Sequence, residues 1–76
     1  MGPKFKIGDK VQSTYRKFWY GDIIGVKSYT YKHKRCYIYT IKITHTVDGR
    51  PQRIRGIHYR NEYWVREIPA TATLKN

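Results

Sequence analysis

Seventy-six residues carry sixteen Lys and Arg against five Asp and Glu, a formal charge of +11, with a single cysteine. A chain of this length makes one domain and buries only about 60–65% of the surface its unfolded form exposes, which excludes a large core. The lone Cys36 excludes an intrachain disulfide and a Cys-rich zinc site, fitting a reducing compartment.

Helix-forming Ala and Leu occur only as Ala70, Ala72 and Leu74, whereas Tyr, Ile, Val and Thr dominate. The composition therefore predicts an all-β domain. Residues 1–4 read as a flexible leader, 5–69 as the domain and 70–76 as a flexible tail. The leader has no apolar run of the signal-peptide kind, and no stretch approaches the roughly 18 apolar residues of a membrane-spanning helix. The expectation is a soluble, cytoplasmic protein.

The segment FKIGDKV, residues 5–11, places apolar side chains around a Gly8-Asp9 turn and leads into a first strand near residues 10–14. Gly8 supplies backbone freedom, and Asp9 is placed to hydrogen-bond the backbone just downstream. Tyr15, Arg16, Lys17 and Phe18 read as a loop of cations and rings. A second strand over residues 19–30 (WYGDIIGVKSYT) is interrupted by Gly21 and Gly25, which predict a bulge or bend. Ile24 and Val26 are expected to point inward, with Ile23 opposite. The run Tyr31-Lys32-His33-Lys34-Arg35 reads as a solvated turn.

Residues 36–46 (CYIYTIKITHT) and 52–60 (QRIRGIHYR) flank Asp48-Gly49, the dipeptide that most favours a two-residue type I′ turn. They predict a long antiparallel hairpin. Tyr37, Tyr39, Ile41 and Ile43 share its buried face, while Ile38, Thr40, Lys42 and Thr44 share the other. On the second arm Arg53 and Arg55 fall on one face with Ile57 and Tyr59. Pro51 cannot donate a ladder bond and belongs at a strand start or edge. A short 3₁₀ turn over residues 60–63 precedes a fifth strand over 64–68, stopped by Pro69.

Five short strands, a Gly-Asp opening, a glycine-bent second strand, a long distal hairpin and a 3₁₀ turn before the last strand together resemble the SH3-like barrel superfold. The FKIGDKV segment is similar to the x-x-G-D-x-V start of Tudor, KOW and retroelement integrase C-terminal domains. The segment WYGDIIGV looks like the W-Y-x-A-x-I second strand of Tudor modules, with Gly21-Asp22 in place of the usual small residue. Residues 60–68 (RNEYWVREI) look like the turn-plus-strand ending of these barrels. The resemblance implies a five-stranded SH3-like barrel. It implies no single function, because the superfold hosts nucleic-acid, peptide and enzyme sites.

Positive charge interleaved with rings is the main functional signal. It recurs in three runs: Tyr15, Arg16, Lys17 and Trp19; Lys27, Tyr29, Tyr31, Lys32, Lys34 and Arg35; and Arg50, Arg53, Arg55, His58, Tyr59 and Arg60. Lys and Arg neutralise phosphates while rings stack on bases or sugars, so the combination suits a nucleic-acid surface. The competing reading puts the rings in the core and the cations on a solvated face. The sequence expectation is duplex DNA, in preference to RNA, held through its backbone by Arg16, Lys17, Lys32, Lys34, Arg35, Arg53 and Arg55. Trp19, Tyr31 and Tyr59 would add ring contacts.

An acidic protein partner, such as a host transcription component met by a phage or mobile-element product, is the alternative, because the same charge would steer both encounters. A methyl-cation cage of Trp19, Tyr20 and Tyr39 would have to bind peptides that are themselves basic. Enzyme readings lack support. The five carboxylates are not paired by spacing, Cys36 beside His33 reads as a small packed side chain, and His33, His45 and His58 are too scattered for a metal site. The Gly-Asp opening is also similar to that of plasmid-borne trimethoprim-resistant dihydrofolate reductases, but their Val-Gln-Ile-Tyr active-site run is absent. No cofactor, metal or membrane partner is expected.

Overall fold

β-Branched and aromatic residues at alternate positions fold this chain as strands. The computed structural model describes residues 2–15, 19–46, 48, 50–51, 56–72 and 74. Among them are five strands, β1 (Lys10–Ser13), β2 (Trp19–Tyr31), β3 (Lys34–His45), β4 (Ile57–Asn61) and β5 (Val65–Glu67), with a 3₁₀ turn at Glu62–Trp64. They form one antiparallel sheet in the order β4-β3-β2-β1-β5. β4 and β5 stand at its two ends with no pairing between them, so the sheet is open.

The Gly8-Asp9 turn works as a backbone clamp. Gly8 adopts φ +98°, where a side chain would be strained, and its N–H donates to the Ile23 carbonyl at 2.9 Å. The Asp9 carboxylate accepts from the Lys6 N–H at 3.0 Å, upstream of it and not downstream as the sequence suggested. The same turn is closed by backbone bonds: the Asp9 N–H donates to the Lys6 carbonyl and the Asp9 carbonyl accepts from the Ile23 N–H.

Val11, Ile23, Tyr39, Ile41, Ile43 and Val65 form the buried core, with Phe5, Trp19, Val26 and Tyr37 packed against it. Full burial of each large apolar side chain contributes about 1.5–3 kcal/mol. The expected inward set of β3 is therefore found. On β2 the phase is reversed: Ile23 is 1% exposed and Ile24 is 46% exposed. The register explains this, because Ile23 pairs Ile41 while Gly25 pairs Thr40, leaving Ile24 as the extra residue of a bulge. Counting by twos from Val26 passes through that bulge and lands on the wrong isoleucine.

A second shift lies between Tyr20 and Gly21, opposite Thr44. The Thr44 hydroxyl donates to the Tyr20 carbonyl at 3.3 Å and covers the interrupted ladder. Here the strands approach so closely that a Cβ on Gly21 would stand 2.5 Å from the Lys42 carbonyl oxygen. Only glycine fits.

The two hairpins differ from expectation. The longest pairing joins β2 to β3, from Tyr20 opposite His45 out to Tyr31 opposite Lys34. Its two-residue turn is Lys32-His33, with φ +48° and +65°, so two bulky residues occupy the left-handed conformations usually given to Asn-Gly. Among the described residues β3 pairs β4 between Ile38 and Lys42, with an isolated His45–Pro51 bridge beyond. The Thr46 N–H donates to the Arg50 carbonyl at 2.8 Å, so this loop is longer than the two-residue turn that Asp48-Gly49 suggested. Val47, Gly49 and residues 52–55 lie outside the described residues. β4 is an edge strand, as Pro51 implied.

Phe5 and the 3₁₀ turn cover the core from one end. The Tyr39 hydroxyl accepts from the Phe5 N–H at 3.2 Å and donates to the Glu62 carboxylate, which also accepts from the Lys4 N–H at 3.1 Å. Burial, and then the bond to Glu62, push the Tyr39 hydroxyl up to about 12. Asn61 caps the turn by accepting from the Tyr63 N–H at 3.0 Å.

Candidate nucleic-acid interface

Charge is segregated along the chain. Residues 23–61 contain nine Lys and Arg (Lys27, Lys32, Lys34, Arg35, Lys42, Arg50, Arg53, Arg55 and Arg60) and one acid, Asp48. The other acids are grouped elsewhere. Asp9 closes the opening turn, Asp22 pairs with Lys10 of β1 at 2.8 Å, Glu62 holds the leader and Glu67 lies on β5.

Register then turns this segment into an arm. Among the described residues β1 accompanies β2 over residues 19–22, and β4 accompanies β3 over 38–42. Residues 28–31 and 34–37 consequently pair with each other alone, and the molecule measures 41 Å along its longest axis against 25 and 23 Å across. Lys32, His33, Lys34 and Arg35 are all exposed at the tip. The Lys32 ammonium sits 5.3 Å from the Tyr31 ring centre.

The predicted residues fall into three groups. Tyr31, Lys32, Lys34 and Arg35 come together at the arm tip, and Tyr59 stands exposed on β4. Trp19 is half-buried against the core with its ring edge-to-face with His58 at 6.3 Å. Arg16, Lys17, Arg53 and Arg55 lie outside the described residues. Tyr20 and Tyr39, two rings of the weighed cage, are buried, which removes that cage.

Side chains directly opposite one another share a face of the sheet, and alternation extends that face along each strand. Tyr29 faces Cys36, Tyr31 faces Lys34 and Lys27 faces Ile38 across β2 and β3, while Thr40 faces Tyr59 and Lys42 faces Ile57 across β3 and β4. One face thus presents Tyr29, Tyr31 and Tyr59 among Lys27, Lys34 and Lys42, with the core on the reverse. Sequence reasoning placed Lys27 and Tyr29 in a run of charge and rings without choosing them as contacts, and Lys42 in none. The signal was their even spacing from Tyr31 and Lys34 on strands that pair.

Tyr29 is held in place. Its hydroxyl accepts from the Asn61 side-chain amide, and it stands opposite Cys36, whose thiol proton is directed at the Lys34 carbonyl, 3.8 Å away. Desolvation, and then Cys36, raise the Tyr29 hydroxyl above its ordinary value. A second ring group lies near the 3₁₀ turn: Trp64 meets Tyr15 and Tyr63 edge-to-face at 5.2 and 5.0 Å, and the Arg60 guanidinium lies 5.0 Å from the Tyr15 ring centre. An open pocket of about 260 Å³ between the leader, the start of β3 and the 3₁₀ turn is bordered by Lys4, Arg35, Cys36, Tyr37, Asn61, Glu62 and Tyr63.

No family model, curated protein or solved structure matches this chain. Among the described residues no group of three His, Cys, Asp or Glu is placed to hold a metal ion, and no helix is long and apolar enough to cross a membrane. His58 is half-buried beside Trp19, and desolvation followed by the Arg60 charge lowers it below the ordinary histidine value. What this geometry offers is a cationic, ring-bearing surface.

Proposed function

We propose that this chain is a non-catalytic nucleic-acid-binding domain of SH3-like barrel type that holds DNA mainly through its phosphates. The barrel assignment is supported by the strand order β4-β3-β2-β1-β5 and the 3₁₀ turn between β4 and β5. The function is carried by one observation, the acid-poor segment 23–61, whose β2–β3 portion ends in Lys32, Lys34 and Arg35. Each phosphate neutralised by such a cation releases condensed counterions, so affinity falls with salt in proportion to the contacts made.

The test is fluorescence anisotropy of labelled DNA across a salt series, comparing the wild type with Lys32→Ala/Lys34→Ala/Arg35→Ala. The triple change should weaken binding and flatten the log K against log salt slope by about 0.7–0.9 per lost phosphate contact. Arg53→Ala/Arg55→Ala serves as a second pair, expected to act in the same direction. Unaltered affinity and slope in the triple variant would remove the arm from the contact surface.

A second reading is an acidic protein target, such as the transcription machinery of a host met by a phage or mobile element. It is favoured by the exposure of Ile24 and Ile57, the latter opposite Lys42, since apolar groups beside cations suit a protein interface better than a phosphate backbone. Binding to such a target that survives nuclease treatment, in a protein that fails to bind DNA, would select this reading.

A further inference from the structure

We propose that the ring-bearing face of β2, β3 and β4 is a stacking platform for single-stranded nucleic acid, which this domain prefers to duplex. The proposal rests on the nucleic-acid reading above and adds the strandedness of the ligand. Phosphate contact alone requires cations and gives no reason for tyrosines in water. Here Tyr31 is 50% exposed and Tyr59 is 66% exposed, on the face that also carries Lys27, Lys34 and Lys42.

Three features fit a single strand. The rings are arranged before any ligand arrives: the Tyr29 hydroxyl is tied to Asn61 across β3, and Lys32 lies against Tyr31. Between the arm rings and Tyr59 lie Lys27 and Ile38, paired with each other, so a cation stands midway along the path, and Gly25 and Thr40, level with Tyr59, keep the floor low beside that ring. From Tyr31, level with Lys34, to Tyr59, level with Thr40, the platform runs six residues of strand. At about 3.4 Å per residue that is roughly 20 Å along the strands, the length of about six stacked nucleotides, within the range that single-strand-binding surfaces cover. Unstacked bases offer their faces to rings, whereas a duplex keeps them inside.

The experiment measures anisotropy with a labelled oligothymidylate of about 12 nucleotides and a duplex of the same length, for the wild type, Tyr31→Ala, Tyr59→Ala and Lys32→Ala/Lys34→Ala/Arg35→Ala. Both tyrosines are exposed and neither hydroxyl has a partner among the described hydrogen bonds, so these variants should fold; unchanged thermal midpoints verify it. The expected result is tighter binding of the single strand, weakened roughly 5- to 150-fold by loss of either ring, with duplex binding nearly unaffected by ring loss. Equal or tighter duplex binding, or full single-strand affinity in both ring variants, overturns the platform while the phosphate reading stands. Absence of binding to either DNA at low salt overturns both.

Discussion

Tyr39→Phe removes one hydroxyl and, with it, the acceptor of the Phe5 N–H and a donor to the Glu62 carboxylate. The ring stays in the core, so the change isolates the polar contacts that fasten the start of the chain to the 3₁₀ turn. Leaving such groups without partners costs about 1–3 kcal/mol. Titration gives a second readout, at high pH. The folded state raises the Tyr39 hydroxyl from its ordinary 10 to about 12, favouring the neutral form. Its contribution is therefore complete below pH 10 and is lost as pH rises from 10 toward 12. A displacement of that size corresponds to about 3 kcal/mol, and screening by nearby solvent brings it to about 1–2 kcal/mol. Urea denaturation followed by tryptophan fluorescence should show the variant less stable by about 1–3 kcal/mol at pH 7, with the gap shrinking above pH 10. Taking the difference between the two proteins removes the titration of the lysines. A gap under about 0.5 kcal/mol at pH 7, or one that stays constant to pH 11, would refute the reasoning.

Three further outcomes are expected. Gly21→Ala should destabilise the fold by about 3 kcal/mol or more, because the new methyl would meet the Lys42 carbonyl, whereas Gly25→Ala should cost about 1 kcal/mol or less; denaturant midpoints separate the two. Lys32→Asn/His33→Gly should stabilise by about 1 kcal/mol, since it relieves two side chains held at positive φ, and should raise the thermal midpoint by about 4–8 °C. His58, held below the ordinary histidine value of 6.5, favours its neutral form when folded. Its contribution is present above pH 6.5 and is lost as pH falls below that, so NMR titration should place its midpoint under 6.5 and His58→Phe should flatten the acid limb of stability.

The sheet was legible wherever alternation ran unbroken. Tyr37, Tyr39, Ile41 and Ile43 sort to the core side as their spacing of two implies, and Val65 follows the 3₁₀ turn into β5 as the chain ending suggested. Legibility failed at bulges and turns. Gly25 signalled an irregularity, but nothing in the composition says that Ile24, its neighbour, is the residue pushed out. Asp48-Gly49 has the residues of a tight turn, yet the tightest turn is Lys32-His33, where a long pairing on both sides imposes left-handed backbone on side chains that resist it. Tertiary pairing there overrides local preference. The platform was half legible: Tyr31, Tyr59 and Lys34 were chosen for their residue types, while the place of Lys27 and Lys42 on the same face became apparent only through the register of three strands.

The separation of acids from the β2–β3 arm has a consequence for the approach of any ligand. With Lys32, Lys34 and Arg35 exposed at the arm tip and Asp9, Asp22 and Glu67 set back on or beside β1 and β5, positive charge is least opposed at the tip. A polyanion several ångströms away would turn it tip-forward before touching it. Orientation, ordinarily left to chance at collision, is thereby prepared in advance by where the charges stand.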